Sequence, residues 1–245
     1  MNNTQNNTNL ASKEYWDAGY GNFKFFAMPK SYPICKAIYE YFPKTDNKTI
    51  FEIGIFPGRF IYHFGKLGYE INGIDQTPYL NEMINWFKTE NFKTGYFDGG
   101  DLLQMNTDKK YDVVFSSGFI EHFENFQDII KIHADLTKQG GMIYITAPNF
   151  AGSIQKILHK TFDRESFDKH NLLAMDVKKW EDVIVKEGFE IVKSGYFGGF
   201  DFWISSKNNN IFKKILGKIL TKITLRFIPS SRIYSPEIIL IAKKK

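Results

Sequence analysis

The sequence predicts an α/β fold in which helices cover both faces of a mostly parallel sheet. Three observations predict it. From Thr49 to Ala147, short apolar runs alternate strictly with segments of helical spacing. Between Thr49 and Pro78 the chain reads as strand, glycine turn, helix and strand, and Asp75 stands directly after the second strand. The 245 residues are 43% hydrophobic and 24% charged, enough apolar material for one large domain with additions.

Taken in order, residues 1–9 are rich in Asn and Thr and read as a disordered lead. Residues 10–20, with Tyr15 and Trp16, read as a short helix that either covers a ligand or anchors on the body. Residues 33–42 form an amphipathic helix closed by Pro43. The first strand is 49–53. Gly54 and Pro57-Gly58 make the turn, and Phe60, Ile61, Phe64 and Leu67 space a helix that Gly68 stops before a second strand at 70–74. In such a unit, backbone N–H groups at the turn meet a carboxylate or phosphate, and an acidic residue about 20 positions on accepts from ribose hydroxyls. The dinucleotide pattern Gly-x-Gly-x-x-Gly does not fit here, because Phe56 stands where its second glycine would fall.

Thr77-Pro78 predicts a helix start with threonine as cap and proline at the first position. A third strand at 91–97 ends in Asp98-Gly99-Gly100-Asp101, and a fourth at 111–115 ends in Ser116-Ser117-Gly118-Phe119. A helix at 124–137 and the Gly140-Gly141 turn lead to a fifth strand at 142–147. The rhythm lapses at 150–173, which suggests an insertion over the sheet edge. A helix at 176–187, a strand at 189–195 and a last strand at 237–242 complete the chain. The division expected is therefore a lead with cap and first helices at 1–48, then a core at 49–245 that carries the 150–173 insertion and a basic helix at 209–228.

Cys35 is the one cysteine, so neither a disulfide framework nor a thiolate metal cluster is available within the chain. No apolar run reaches the roughly 18 residues of a membrane-spanning helix, and a cytoplasmic protein is expected. The net charge of +5 is local: Lys207, Lys213, Lys214, Lys218, Lys222, Arg226 and Arg232 fall in a stretch without an acidic residue, and the body is mildly acidic. That body offers no phosphate-tracking groove, so a nucleic-acid partner is not expected. Within 211–228, apolar residues keep helical spacing while Lys214, Lys218, Lys222 and Arg226 recur at steps of four. This basic amphipathic helix could lie on an anionic membrane at the inner surface, hold a polyprenyl or sugar-phosphate substrate, or pack as an ordinary crossover.

Six ordered stretches resemble one family: Phe-Glu-Ile-Gly-Ile-Phe-Pro-Gly-Arg-Phe at 51–60, Gly-Ile-Asp at 73–75, Gly100-Asp101, Tyr-Asp-Val-Val-Phe-Ser-Ser-Gly-Phe-Ile-Glu-His-Phe at 111–123, Gly-Gly-Met-Ile-Tyr-Ile-Thr-Ala-Pro-Asn at 140–149, and Glu-Gly-Phe-Glu-Ile-Val at 187–192. The chain resembles the class I S-adenosylmethionine-dependent methyltransferases, within them the small-molecule group that includes ubiquinone-biosynthesis O-methyltransferases. The resemblance implies a Rossmann-like seven-stranded sheet with the last strand antiparallel. It also implies roles: Glu52, Gly54, Phe56 and Gly58 beneath the methionine end of the cofactor, Asp75 on the ribose hydroxyls with Gln76 beside it, Asp101 and Leu102 at the adenine, Ser117 and Phe119 near the methionine. Phe56 stands where the family usually has glycine. Its ring either narrows the methionine pocket or tilts away, and a non-catalytic binding protein is the alternative it leaves open.

Methyl transfer from a sulfonium requires an aligned acceptor, exclusion of water and, for a hydroxyl, removal of its proton. His122 is the first candidate base, because it lies beyond the fourth strand where strand ends face a ligand crevice. His170 is the second, since the 150–173 segment overhangs the pocket. The five histidines show no paired metal-ligand spacing and no metal is expected, although Glu121 and His122 could join an ion with residues from 150–173. The function expected is methylation of a small-molecule hydroxyl, on a sugar or a phosphorylated or nucleotide-linked cell-envelope intermediate, by a monomer or homodimer. Quinone or lipid O-methylation is the alternative.

Overall fold

A computed structural model of the chain describes residues 9–20, 23–204, 211–220, 222 and 228–245. Most of the 1–9 lead and much of the 209–228 helix, Arg226 included, therefore lie outside the described residues. Ahead of the sheet come α1 (Lys13–Tyr20) and α2 (Pro33–Tyr41). The alternating series follows as β1 (Thr49–Ile53), α3 (Ile61–Lys66), β2 (Glu70–Ile74), α4 (Leu80–Thr89), β3 (Thr94–Asp98), β4 (Tyr111–Ser117), α5 (Phe126–Leu136) and β5 (Thr137–Pro148). Then come α6 (Ser153–Phe162), α7 (Arg164–Phe167), α8 (Val177–Lys186), β6 (Phe189–Phe197), α9 (Ile211–Leu220) and β7 (Glu237–Lys244).

The seven strands lie in the order β3-β2-β1-β4-β5-β7-β6, and β7 runs antiparallel to both its neighbours. This is the Rossmann-like sheet expected. β1 carries apolar side chains towards both faces, as a central parallel strand covered on both sides requires. On one face α5 and α8 bring Phe126, Ile129, Ile130 and Trp180 onto the sheet. On the other, α2, α3 and α4 supply Ile34, Ile38, Phe64, Met83 and Phe87. The chain's progress across the sheet reverses between β1 and β4, and the carboxyl ends of those two strands open a crevice there.

Two local expectations are corrected. The helix after Pro78 starts at Leu80, because the Thr77 N–H is held by the Asp75 carboxylate at 2.9 Å and Thr77 Oγ1 accepts from Tyr79 N, which makes 75–79 a turn. β5 begins at Thr137 without a preceding loop; its register on β4 shifts between Tyr111 and Val113, and Gly140 absorbs the irregularity at φ 72°. Along α9, which lies against α6, Ile211, Phe212, Ile215, Leu216 and Ile219 are all exposed, Phe212 to 81%.

Candidate active site

The crevice is built first from backbone. Gly54 follows β1 at φ 71°, and a side chain there would start 2.5 Å from the Phe119 ring, so glycine is required both by conformation and by close approach. Gly58, at φ 76°, is packed as tightly against Phe87. Phe56 needs no such freedom, since its φ is not positive, and its N–H donates to Asp75 Oδ2 at 2.9 Å. Its ring joins an aromatic cluster with Phe23, Phe25 and Tyr79 and is 6% exposed. The ring is thus accommodated within a cluster instead of a glycine turn.

Asp75 is clamped by Phe56 N on one oxygen and Thr77 N on the other, which leaves lone pairs on both for a ligand's hydroxyls. Burial pushes its carboxyl up to about 6 against the lowering effect of those two N–H groups. Glu52, one strand over and buried, is pushed well above the carboxylate range by burial and the nearby Asp75, with Arg59 opposing. Asp101 caps the short turn at Leu102–Gln104 through Leu103 N, and Leu102 is buried beside it. At the last residue of β4, Ser117 Oγ accepts from Thr146 Oγ1, and just beyond the strand Phe119 lies on Gly54.

At the other end of the crevice Glu121, His122 and His170 meet. The 3-10 turn Ile120–His122 and the segment after α7 are stitched together: Asn171 N donates to Glu121 O at 2.7 Å and Asn171 Nδ2 to Phe123 O at 2.9 Å. His122 donates its Nδ1–H to Lys169 O at 2.9 Å, and His170 its Nδ1–H to Ser166 O at 2.6 Å. A carbonyl only accepts, so both Nε2 atoms carry lone pairs. They lie 3.8 Å and 4.0 Å from Glu121 Oε1. Burial holds His122 down to about 4 and His170 well below the usual imidazole value, and raises Glu121 to about 8. Trp16 of α1 sets its edge against His122 with ring centroids 5.1 Å apart, so α1 covers this end of the site.

All twelve residues singled out from the sequence line one cavity of about 770 Å³: Glu52, Gly54, Phe56, Gly58, Asp75, Gln76, Asp101, Leu102, Ser117, Phe119, His122 and His170. The sequence reading missed a further wall, made by Tyr32, Arg59, Asp201, Trp203 and Glu237. Tyr32 donates to Glu237 Oε1 at 3.2 Å, and burial raises Glu237 to about 7. Only the topology signals these residues, since the β5–β7 pairing sets Glu237 opposite Pro148 at the crevice end of the sheet.

A Rossmann-like sheet with a glycine turn, an acidic residue after β2 and a cavity over the ends of β1 and β4 is the arrangement in which a nucleoside ligand lies across the strand ends. Comparison with known proteins makes the assignment specific: residues 28–194 match the family model described as a methyltransferase domain, and the chain belongs to that family. A ubiquinone biosynthesis O-methyltransferase of Hydrogenovibrio crunogenus is 24% identical over 146 residues, which cover 59% of this chain and 59% of that protein. A putative methyltransferase of Bacillus halodurans C-125 superposes with TM-score 0.61 at 17% identity, covering 86% of this chain and 98% of that one. An S-adenosylmethionine-dependent methyltransferase of Archaeoglobus fulgidus does so with TM-score 0.54 at 19% identity, covering 85% and 92%. Magnesium protoporphyrin IX methyltransferase from Synechocystis PCC 6803, crystallised with S-adenosylhomocysteine, gives TM-score 0.51 at 15% identity over 86% and 80%.

Proposed function

We propose that this methyltransferase transfers the methyl group of S-adenosylmethionine to a hydroxyl of a small, uncharged, oxygen-rich molecule such as a sugar ring. The observation that carries this reading is the acidic lining of the cavity. Two cationic side chains, Arg59 and Lys13, the latter paired with Asp17, share the wall with seven carboxyl groups, Asp17, Glu52, Asp75, Asp101, Glu121, Asp201 and Glu237, of which burial turns Glu52, Glu121 and Glu237 towards the neutral, hydrogen-bond-donating form. A wall of this kind favours groups that donate hydrogen bonds and disfavours phosphate, so a neutral acceptor fits better than the phosphorylated or nucleotide-linked one.

In this reading Asp75 takes the ribose hydroxyls, Asp101 and Leu102 meet the adenine, and the turn at 52–58 with Ser117 and Phe119 holds the methionine end. The acceptor then enters between Trp16, Glu237 and the Glu121–His122–His170 cluster. His122, which lines the cavity with its Nε2 turned towards Glu121, is the candidate base, and His170 is the second. The sulfonium is already activated, so the remaining work is alignment, exclusion of water and removal of the hydroxyl proton. Screening labelled S-adenosylmethionine against paired neutral sugars and their phosphates tests the acceptor class. Turnover confined to the neutral members is expected, and a preference for the phosphates refutes it.

A second reading, a quinone or lipid-borne hydroxyl, is favoured by the five exposed apolar side chains of α9. Lys213, Lys214 and Lys218 share that helix in sequence, and Ile154 and Ile157 are exposed on α6, which packs against it. Among the described residues no helix is long and apolar enough to cross a membrane. A basic, apolar strip instead suits an anionic bilayer surface.

A further inference from the structure

We propose that Glu121, His122 and His170 form a binding site for one divalent first-row transition-metal ion on the acceptor side of the cavity. Glu121 is fully buried, and neither of its carboxylate oxygens has a hydrogen-bond partner among the described residues. A buried carboxylate without a partner is costly, and a native fold keeps one where something absent from the polypeptide satisfies it.

The two imidazoles identify what that something is. Each has committed its Nδ1–H to a backbone carbonyl, so each turns a bare Nε2 lone pair towards Glu121. The donor atoms of the three side chains all lie within 4.8 Å of one another. Three electron-pair donors thus converge, and none has a proton fixed for the others. A single proton on Glu121 does not resolve this, because 3.8 Å and 4.0 Å exceed hydrogen-bond reach and one O–H serves one imidazole at most. A cation accepts from all three at once. The Nδ1–H to carbonyl bonds are also the usual outer support of ligating histidines, fixing tautomer and ring orientation.

Two imidazoles and one carboxylate select zinc, iron(II) or manganese(II) in preference to magnesium or calcium, which take oxygen ligands. All three side chains line the cavity, so positions left open on the ion face the space of the acceptor. Resting on the methyltransferase reading, the inference adds that the ion would hold an acceptor oxygen and make its hydroxyl more acidic. With the ion bound, His122 is a ligand and its Nε2 no longer takes a proton, so the base and ligand assignments are alternatives that the experiment separates.

The test uses full-length protein stripped with a chelator. Zinc and cobalt(II) are titrated by equilibrium dialysis with elemental analysis, alongside the visible absorption of cobalt and a thermal melt. Wild type is expected to bind one ion per chain, to develop cobalt ligand-field bands, and to melt higher with metal. Glu121→Gln and His170→Ala are each expected to bind more than tenfold more weakly, and metal-free Glu121→Gln, which no longer buries an unpartnered carboxylate, to melt no lower than metal-free wild type. Absence of stoichiometric binding to wild type, or undiminished binding by both variants, overturns the proposal. S-adenosylhomocysteine binding, measured in parallel on metal-free protein, shows that each variant is folded. Its loss from wild type would count against the cofactor reading and leave the metal result intact.

Discussion

Asp75 carries the cofactor reading at the residue scale, and its environment makes that reading sensitive to pH. Its two oxygens accept from Phe56 N and Thr77 N, and burial raises the carboxyl to about 6. Ribose hydroxyls donate to the ionised form. S-adenosylhomocysteine affinity is therefore expected to hold steady above pH 7 and to fall as pH drops through about 6, by up to tenfold per unit, in isothermal titrations over that range. Phe56 gives the second prediction. Its ring is packed by Phe23, Phe25 and Tyr79, so Phe56→Ala should cost roughly 3–5 kcal/mol in denaturant melts, as truncation of a buried phenylalanine does. The sequence showed that Phe56 departs from a glycine pattern but not how it is housed, because the partners at 23, 25 and 79 come from other segments. His122→Ala and His170→Ala should each lower kcat by about 100-fold or more with cofactor saturated. Wild-type kcat in both would remove them from the chemistry.

Among elements, the strands and most helices were legible because their apolar periods are unbroken, as in residues 111–115 and 126–136. Boundaries were not, where a tertiary contact outweighs local signals. The Asp75 carboxylate captures Thr77 N and delays α4, and pairing with Tyr111 carries β5 back to Thr137. The α9 strip is the element whose purpose its own packing leaves open. If it meets an anionic surface, the full chain should sediment with vesicles containing phosphatidylserine, more weakly with neutral phosphatidylcholine, and Phe212→Glu with Ile215→Glu should abolish the difference. Equal sedimentation with both vesicles would leave the strip for another partner.

For the whole molecule, folding buries imidazoles that become costly when charged. His133 is enclosed on α5 with Nδ1–H on Ile129 O and Nε2 facing the Ser116 hydroxyl, and burial lowers it to about 4. Between that value and the ordinary 6.5 the unfolded chain binds a proton that the folded chain does not, so stability is complete above pH 6.5 and is lost as pH falls towards 4. This one group contributes roughly 3 kcal/mol to that loss. The raised carboxyls of Glu52, Asp75, Glu121 and Glu237 act in the opposite sense over this range, so the test is the difference between variants: in urea melts from pH 7 to 4, His133→Gln should lose less stability than wild type, by roughly 3 kcal/mol. The same long-range assembly explains what sequence could not show of the site. The lining from Glu52 to Gln76 follows the chain locally, whereas Glu237 reaches the cavity only through the pairing of β7 with β5, and Tyr32 meets it there by a hydrogen bond across 205 residues of sequence. The central claim is that this cavity holds a sulfonium nucleoside by its sugar at Asp75, and calorimetry of S-adenosylhomocysteine with wild type and Asp75→Ala tests it most directly. Saturable one-to-one binding that weakens by roughly 10- to 100-fold in the variant is the predicted result, the loss of hydrogen bonds to a charged group; no binding to wild type at millimolar ligand, or equal binding to both, would contradict it.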